Sequence, residues 1–221
     1  MKWGHRKVVP SFLYLSVKMA YNRRSHSLEQ VAYKLGLSWV GDDTDRTLPF
    51  LRDFQLLRGH SKKIKHLMEE RDGLLETDIR IFDYQHVISA GNSHKKENQT
   101  VFFVQSQNLG LPELYLRPEH FLHKVGEYLN LTRDIDFEAH PDFSRQYRLT
   151  GKDEDFIRAS FNEHVLHFFT FNKKWSFEGV NYYFILYRRN KLIPPGEIER
   201  FYQMGKHLMH MLKSEFPPAD A

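Results

Sequence analysis

Four ionisable residues fall at alternate positions near the middle of the chain, in the run DIDFEAH: Asp134, Asp136, Glu138 and His140. On an extended strand they would point to one side, and carboxylate oxygens beside an imidazole can bind a hard or borderline cation. The intervening Ile135 and Phe137 would then form an opposite, apolar face. Such alternation is typical of a strand with one buried and one solvated face. We favour this interpretation over a metal site, because a single strand supplies ligands from only one segment.

Two histidine pairs stand three residues apart, a spacing that places two imidazoles side by side on a helix. They are His164 with His167, and His207 with His210. Neither pair has the His-Glu-x-x-His frame of zinc enzymes, and apolar residues separate both, which favours histidines on the flanks of packed helices. The alternative is a metal-dependent hydrolase that uses Asp134, Asp136 and His140 together with His164 or His167.

Two lysine clusters could contact phosphate groups. Lys62, Lys63 and Lys65 follow Gly59 in the run RGHSKKIKH, and Lys95 and Lys96 lie in SHKKEN. A glycine turn before a basic helix is a plausible anion site, and lysines on loops can bind nucleic acid. A solvated basic helix face is the interpretation that we prefer, so nucleic acid is a less favoured partner.

Several classes of enzyme are excluded by composition and motifs. The chain has no cysteine, which rules out disulfides, thiolate metal sites and cysteine nucleophiles. Gly-x-Ser-x-Gly, Gly-x-Gly-x-x-Gly and a phosphate loop ending in Gly-Lys-Ser/Thr are also missing. We therefore expect no cofactor and cannot name a catalytic residue. A net charge of +4 over 221 residues, with 41% hydrophobic residues, is typical of a globular domain.

The first 24 residues differ from the rest. A basic start is followed by an apolar stretch from Val8 to Tyr21 and then by Arg23 and Arg24. The stretch is interrupted by Lys18 and is shorter than the roughly 20 apolar residues of a spanning helix. Three interpretations stay open: an amphipathic helix docked on the domain, an interfacial membrane anchor, or a degenerate anchor. We expect a cytoplasmic protein and favour the docked helix, with peripheral membrane contact through residues 1–24 as the alternative.

The elements that would position these residues can be read from local periodicity. Strands are predicted at LSWVG, TDIRIFDYQHVIS, TVFFVQSQ, ELYLRP, RQYRLTG, KWSFEG and NYYFILYRR. Helices are predicted at SLEQVAYKLG, HSKKIKHLMEE, PEHFLHKVGEYL, KDEDFIRASF with NEHVLHFFTF, and GEIERFYQMGKHLMHMLKSEF. AGNSHKKENQ is expected to be a long hairpin tip, FLRDFQLLRG an extended lead-in, and the KWSFEG hairpin to turn around Gly179. The fold class is α+β, a mainly antiparallel sheet with helices packed on it.

The predicted elements suggest an internal repeat. Both halves read strand, helix, strand, strand, helix, and Phe50 and Phe54 recur 93 residues later as Phe143 and Tyr147. The domain is expected to span 25–213, with half-repeats at 48–130 and 141–213 and a flexible tail at 214–221. Chance similarity of short strand–helix patterns explains the recurrence equally well.

Three segments together resemble an uncharacterised group of bacterial proteins in which a hydrophobic N-terminal segment often precedes a domain of this size. They are DIDFEAHPDFSRQYRLTGKDEDFIRASF, RIFDYQH and ELYLRPEHFLHKV, and the resemblance covers roughly residues 27 to 213. It implies no activity and no catalytic residues, but it implies that the N-terminal apolar run is a shortened or lost anchor. The leading functional hypothesis is a non-enzymatic binding or interaction domain whose protein or ligand partner the sequence does not identify.

Overall fold

A computed structural model describes residues 11–73, 76–90, 93–119 and 134–212. The helices are α1 (Ser11–Lys34), α2 (Thr44–Thr47), α3 (Pro141–Ser144), α4 (Glu154–Ser160), α5 (Glu163–Phe171) and α6 (Ile198–Leu212). The strands are β1 (Ser38–Gly41), β2 (His60–Asp72), β3 (Thr77–Ala90), β4 (Ser93–Ser106), β5 (Leu111–Pro118), β6 (Tyr147–Gly151), β7 (Ser176–Asn181) and β8 (Tyr183–Tyr187). Short 3-10 turns occupy Leu48–Leu51, Gln55–Arg58 and Pro195–Glu197.

All eight strands join one antiparallel sheet in the order β1-β2-β3-β4-β8-β7-β5-β6. The β7–β8 hairpin is inserted between β4 and β5, which are consecutive in the sequence. The α+β class and the antiparallel sheet that the sequence predicts are thereby confirmed. The turn of the inserted hairpin lies at Asn181, which has a φ of 51°, and not at Gly179, which lies within β7.

The sheet has an apolar core on each face. Because strand side chains alternate, Phe102 packs in the larger core and Phe103 in the smaller one. Helices α1, α4, α5 and α6 cover the larger core, and α6 approaches closely: a Cβ at Gly205 would lie 2.5 Å from the Phe102 ring. Residues 44–58 cover the smaller core through Leu51, Phe54 and Leu56. The sheet therefore lies between helices and an irregular segment.

The predicted helix HSKKIKHLMEE is wrong, because these residues form β2. Register shifts between His60 and Lys63 and between Lys65 and Met68 interrupt its pairing with β3. Ser61 and His66 have φ values of 52° and 53° at these bulges. A bulge adds a residue and breaks the two-residue alternation. The apolar residues Ile64, Leu67 and Met68 consequently acquire helix-like spacing inside a strand.

Three other boundaries differ from the sequence predictions. The helix predicted from Ser27 is the C-terminal part of the longer α1, although it ends as expected before Gly36, whose φ is +73°. The expected long hairpin tip is mostly strand, since β3 and β4 stay paired out to Ala90 and Ser93. The extended lead-in consists of 3-10 turns.

The predicted half-repeats do not share one element order. Residues 60–72 are a strand in the first half, whereas α4 and α5 occupy the corresponding part of the second. Asn162 separates these two helices by capping α5, its side chain accepting from Val165 N at 3.1 Å. The helix predicted at PEHFLHKVGEYL lies mostly outside the described residues, as does the tail at 214–221. A duplication stays a prediction.

A buried carboxylate attaches the 44–58 segment to the sheet. Glu178 on β7 accepts the backbone N–H groups of Gln55 and Leu56, and the Tyr187 hydroxyl donates to it at 2.8 Å. Burial raises the pKa of Glu178 to about 7, although these hydrogen bonds oppose the shift. The side chain thus connects the smaller core to the segment above it.

Candidate functional site

Helix α1 is held on the sheet by an ion pair between Arg24 and Asp83. The Arg24 guanidinium donates from Nε to Oδ2 at 2.7 Å and from Nη2 to Oδ1 at 2.8 Å, a two-point geometry that strengthens an ion pair. It also donates from Nη1 to the Ile193 carbonyl at 2.9 Å. The contact therefore joins α1, β3 and the segment that leads into α6.

Asp83 has two further hydrogen-bond donors. The Thr100 hydroxyl donates to Oδ1 at 2.7 Å, and His66 Nδ1 lies 2.9 Å from Oδ2. Burial by itself raises the pKa of Asp83, but the hydrogen bonds from Arg24, His66 and Thr100 hold it below its usual value of 3.8. Asp83 is consequently ionised at neutral pH, and its charge is matched by Arg24.

The His66–Asp83 pair resembles the base-orienting half of a catalytic triad, but its surroundings are closed. The His66 ring lies 4.7 Å from that of Tyr21 and 6.3 Å from that of Trp39. Its Nε2 atom is buried and has no partner among the described residues. A general base must reach a proton on its substrate. His66 instead packs against α1 and helps to hold that helix on the sheet.

Three lysines gather on the α1 side of the sheet. Lys63 and Lys65 of β2 pair with Gln85 and Asp83, and Lys96 of β4 pairs with Val87. Alternate residues of β3 share one face, so Lys63, Lys65 and Lys96 lie on the side where Asp83 meets Arg24. We call these three lysines the basic face.

The electrostatics of the basic face agree with this placement. Lys96 is exposed, yet its pKa is lowered, mostly by partial burial of the amine and further by the nearby Lys65 and Lys63. The Lys65 ammonium also lies 5.0 Å from the centre of the Tyr21 ring on α1. In the described part of the chain, no ion pair joins any of the three lysines to a carboxylate. The face is therefore a local concentration of uncompensated positive charge.

The other two predicted basic residues lie elsewhere. Lys95 is paired with Glu97, with 2.9 Å between Nζ and Oε1. Lys62 lines a cavity of about 550 Å³ beside Arg58 and the 44–58 segment. The structure thus divides the five lysines, bringing together three of them and separating Lys62 and Lys95.

The predicted metal ligands are not assembled. Asp134 accepts the Leu149 backbone N–H at 3.0 Å, and the backbone carbonyl of Asp136 accepts from Arg158 at 2.8 Å. His140 and His167 do meet, with ring centres 5.5 Å apart, whereas His164 is exposed. No group of three histidine or carboxylate side chains in the described ranges could hold a metal ion.

Residues 134–140 are not a strand. Their backbone makes one sheet-like contact, Ile135 N to Leu149 O at 2.8 Å, and then turns, with His140 N donating to Phe137 O at 2.9 Å. Burial still follows the predicted alternation, because Ile135 is buried and Asp136 and Glu138 are exposed. The strand prediction is wrong, but its assignment of these inward and outward residues is confirmed.

The Arg24–Asp83–His66 cluster was not predicted from the sequence. One signal was present: Asp83 continues the apolar stripe of Ile79 and Ile81 on β3, where an acid needs a buried partner. The partner is 59 residues away on α1, a distance at which sequence periodicity gives no information.

Comparisons with known proteins indicate the fold and nothing finer. No family model matches the chain, and no curated protein matches it. The crystal structure of the mycobacterial trehalose monomycolate transport factor A, TtfA, is similar, with a TM-score of 0.56 at 10% sequence identity. The match covers 86% of this chain and 92% of that one. Among the described helices, none combines the length and apolar character that membrane crossing demands.

Proposed function

We propose that this protein is a non-enzymatic binding domain that attaches to an anionic membrane surface through the basic face and the start of α1. The observation that carries the proposal is the convergence of Lys63, Lys65 and Lys96 on the side of the sheet that α1 covers. Lysines close to an anionic membrane contribute about 1 kcal/mol each. Three of them supply a useful but reversible attraction.

The start of α1 has an apolar sequence. At 1.5 Å per residue, the helix from Ser11 to Tyr21 is about 15 Å long. Its sequence, SFLYLSVKMA for residues 11–20, is mostly apolar, and Met19 is 60% exposed. Apolar residues with adjacent cations are the composition of interfacial membrane helices. The Arg24–Asp83 pair holds the helix on the sheet, and the Lys65 ammonium lies 5.0 Å from the centre of the Tyr21 ring, so the helix reaches the basic face at that residue.

A binding role agrees with the chemistry of the chain. The His66–Asp83 pair is buried, and no sequence motif supplies a nucleophile. The similarly folded protein is named as a transport factor and not as an enzyme, which supports a binding role for this fold. At 10% identity that likeness concerns the fold, so the proposal rests on the residues of this chain.

Liposome flotation tests the proposal. We expect full-length protein to float with vesicles containing phosphatidylglycerol, to float less as salt is raised, and to stay unbound with neutral phosphatidylcholine vesicles. The triple variant Lys63→Gln, Lys65→Gln, Lys96→Gln should bind about one hundredfold more weakly, because three lysine contributions are lost.

A matched variant controls for net charge. Lys152→Gln, Lys174→Gln, Lys191→Gln removes the same charge from exposed positions elsewhere and should bind almost as well as wild type. Equal loss in the two triple variants would contradict a specific basic face. Tighter binding to a single-stranded oligonucleotide than to anionic vesicles, with the same variant dependence, would replace the membrane by nucleic acid.

A further inference from the structure

A second, unrelated cavity lies between the end of β8 and the first turns of α6. Its volume is about 90 Å³. Its lining includes Trp175, Arg188, Ile193, Glu197, Arg200 and Phe201. The cavity combines an apolar wall with arginine side chains, the composition of a small-molecule site with a few orienting polar groups.

The apolar wall is rigid. The rings of Trp175 and Phe201 are stacked, with centres 5.0 Å apart and planes 10° from parallel. Both side chains are buried, as is Ile193. Because these packed aromatic rings are already fixed, a ligand that contacts them does not lose free energy in ordering their side chains.

Arg188 brings an unused hydrogen-bond donor to this wall. Its guanidinium lies 4.3 Å from the centre of the Trp175 ring, and Nη2 donates to the Lys173 carbonyl at 3.2 Å. Its Nε atom is buried, and none of the described residues accepts a hydrogen bond from it. A buried donor on a charged group is rarely left unpaired, so the guanidinium has hydrogen-bonding capacity that the described residues do not use.

The charges around the cavity favour a single negative charge on that acceptor. Arg188 and Arg200 line the cavity together with one acid, Glu197, so the lining carries one net positive charge. The planar edge of a guanidinium matches a carboxylate, which can accept from two of its N–H groups.

We propose that this cavity binds a short-chain aliphatic carboxylate, with the carboxylate at the Arg188 guanidinium, beside Arg200, and the chain on Trp175 and Phe201. Size selects the class of ligand. The cavity volume of about 90 Å³ is smaller than the cavity of about 150 Å³ that accommodates benzene, which favours a chain of about four carbons over a ring. Such a ligand has few atoms, and we expect a dissociation constant of about 1 mM.

Titration of the full chain with butyrate, followed by ¹H–¹⁵N NMR, tests the site. The Arg188 Nε–H resonance is assigned by its disappearance in Arg188→Lys, and that of the Trp175 indole by its loss in Trp175→Phe. We expect butyrate to shift both resonances saturably. Butyramide, which has the same shape and no charge, should leave the Arg188 resonance in place.

Two variants supply the binding test. Arg188→Met should weaken butyrate binding at least tenfold, as judged from the Trp175 indole resonance. Arg200→Gln is the second variant, for use if Arg188→Met fails to fold. It changes an exposed side chain, should leave the fold intact, and should weaken butyrate binding several-fold. No shift at 50 mM butyrate, equal shifts with butyramide, or tighter binding of inorganic phosphate than of butyrate would each overturn the assignment.

Discussion

At the scale of single residues, two buried carboxylates show how surroundings decide charge. Asp83 is matched by the Arg24 guanidinium, and its pKa is held below the usual value. Glu178 is also buried, but the groups that donate hydrogen bonds to it are neutral: two backbone N–H groups and the Tyr187 hydroxyl. Its pKa is raised to about 7. Neutral donors offset only part of the desolvation of a carboxylate. The two acids therefore respond oppositely to pH.

Glu178→Gln should make the unfolding free energy of the protein depend less on pH. Because the folded-state pKa of Glu178 is raised, its stabilising contribution is complete below its unfolded pKa of about 4.5 and is lost as pH rises through about 7. The loss for the wild type is of the order of 3 kcal/mol. Urea unfolding at intervals between pH 5 and pH 8 measures it as the difference between the wild type and the variant.

Glu138→Gln is the control for this experiment, because Glu138 is exposed. It should follow the pH profile of the wild type. If the unfolding free energy of Glu178→Gln ran parallel to that of the wild type between pH 5 and pH 8, the pKa of Glu178 would not be raised by its burial.

At the scale of elements, α1 is held by polar contacts beside its apolar stripe. Leu28 and Ala32 pack in the larger core, and towards the N-terminus the contacts include Arg24 with Asp83 and the Tyr21 hydroxyl, which donates to Asp42 at 2.7 Å. The side chains of Arg24 and Asp83 are only 16% and 9% exposed. Removing one partner of such a pair leaves the other charge buried.

Arg24→Met should release the first half of α1 from the sheet. We expect a loss of about 3 kcal/mol in unfolding free energy, the size typical of a broken buried ion pair. Hydrogen exchange should accelerate in peptides from residues 11–34 more than in those from β3 and β4. The reason is that Asp83 keeps Thr100 and His66 as donors when Arg24 is gone.

The neighbouring Arg23→Met provides the comparison, since Arg23 is exposed on the same helix. It removes the same charge and should leave exchange in α1 almost unchanged. If the two variants exchange alike, the Arg24–Asp83 pair does not hold the helix.

At the scale of the whole molecule, one sheet connects two cores. Ile81 belongs to the larger core and Ile185 to the smaller. The strands of the two predicted halves are joined through β4 and β8, which pair from Val101–Tyr187 to Gln105–Tyr183. Because the two cores lie on opposite faces of the same strands, unfolding of the sheet on one side would expose the core on the other. This arrangement favours cooperative unfolding.

We expect a single unfolding transition for the chain. Far-ultraviolet circular dichroism and tryptophan fluorescence should give the same urea midpoint. Ile81→Val and Ile185→Val should each lower the whole transition by about 1 kcal/mol, although they lie in different cores. Two separated transitions, each sensitive to only one of these variants, would mean that residues 48–130 and 141–213 unfold as independent halves.

The sequence by itself determined the fold class and the elements whose signals are local. Strands β3 and β6 and helix α4 follow from alternation, helical periodicity and caps; the Asp153 side chain, for example, accepts from Phe156 N at 3.0 Å. Gly36 ends α1 where the left-handed conformation was expected. These signals act over a few residues and are therefore visible in the chain itself.

Only the tertiary structure decided the features on which function depends. The bulges in β2 give the apolar residues of a strand the spacing of a helix. They can be recognised only from the register of β2 against β3. Lys63 of β2 and Lys96 of β4 come to the same face because both strands pair with β3, while Lys95 forms an ion pair with Glu97. Contacts between distant residues depend on register and burial, because a one-residue slip moves a side chain to the opposite face of the sheet.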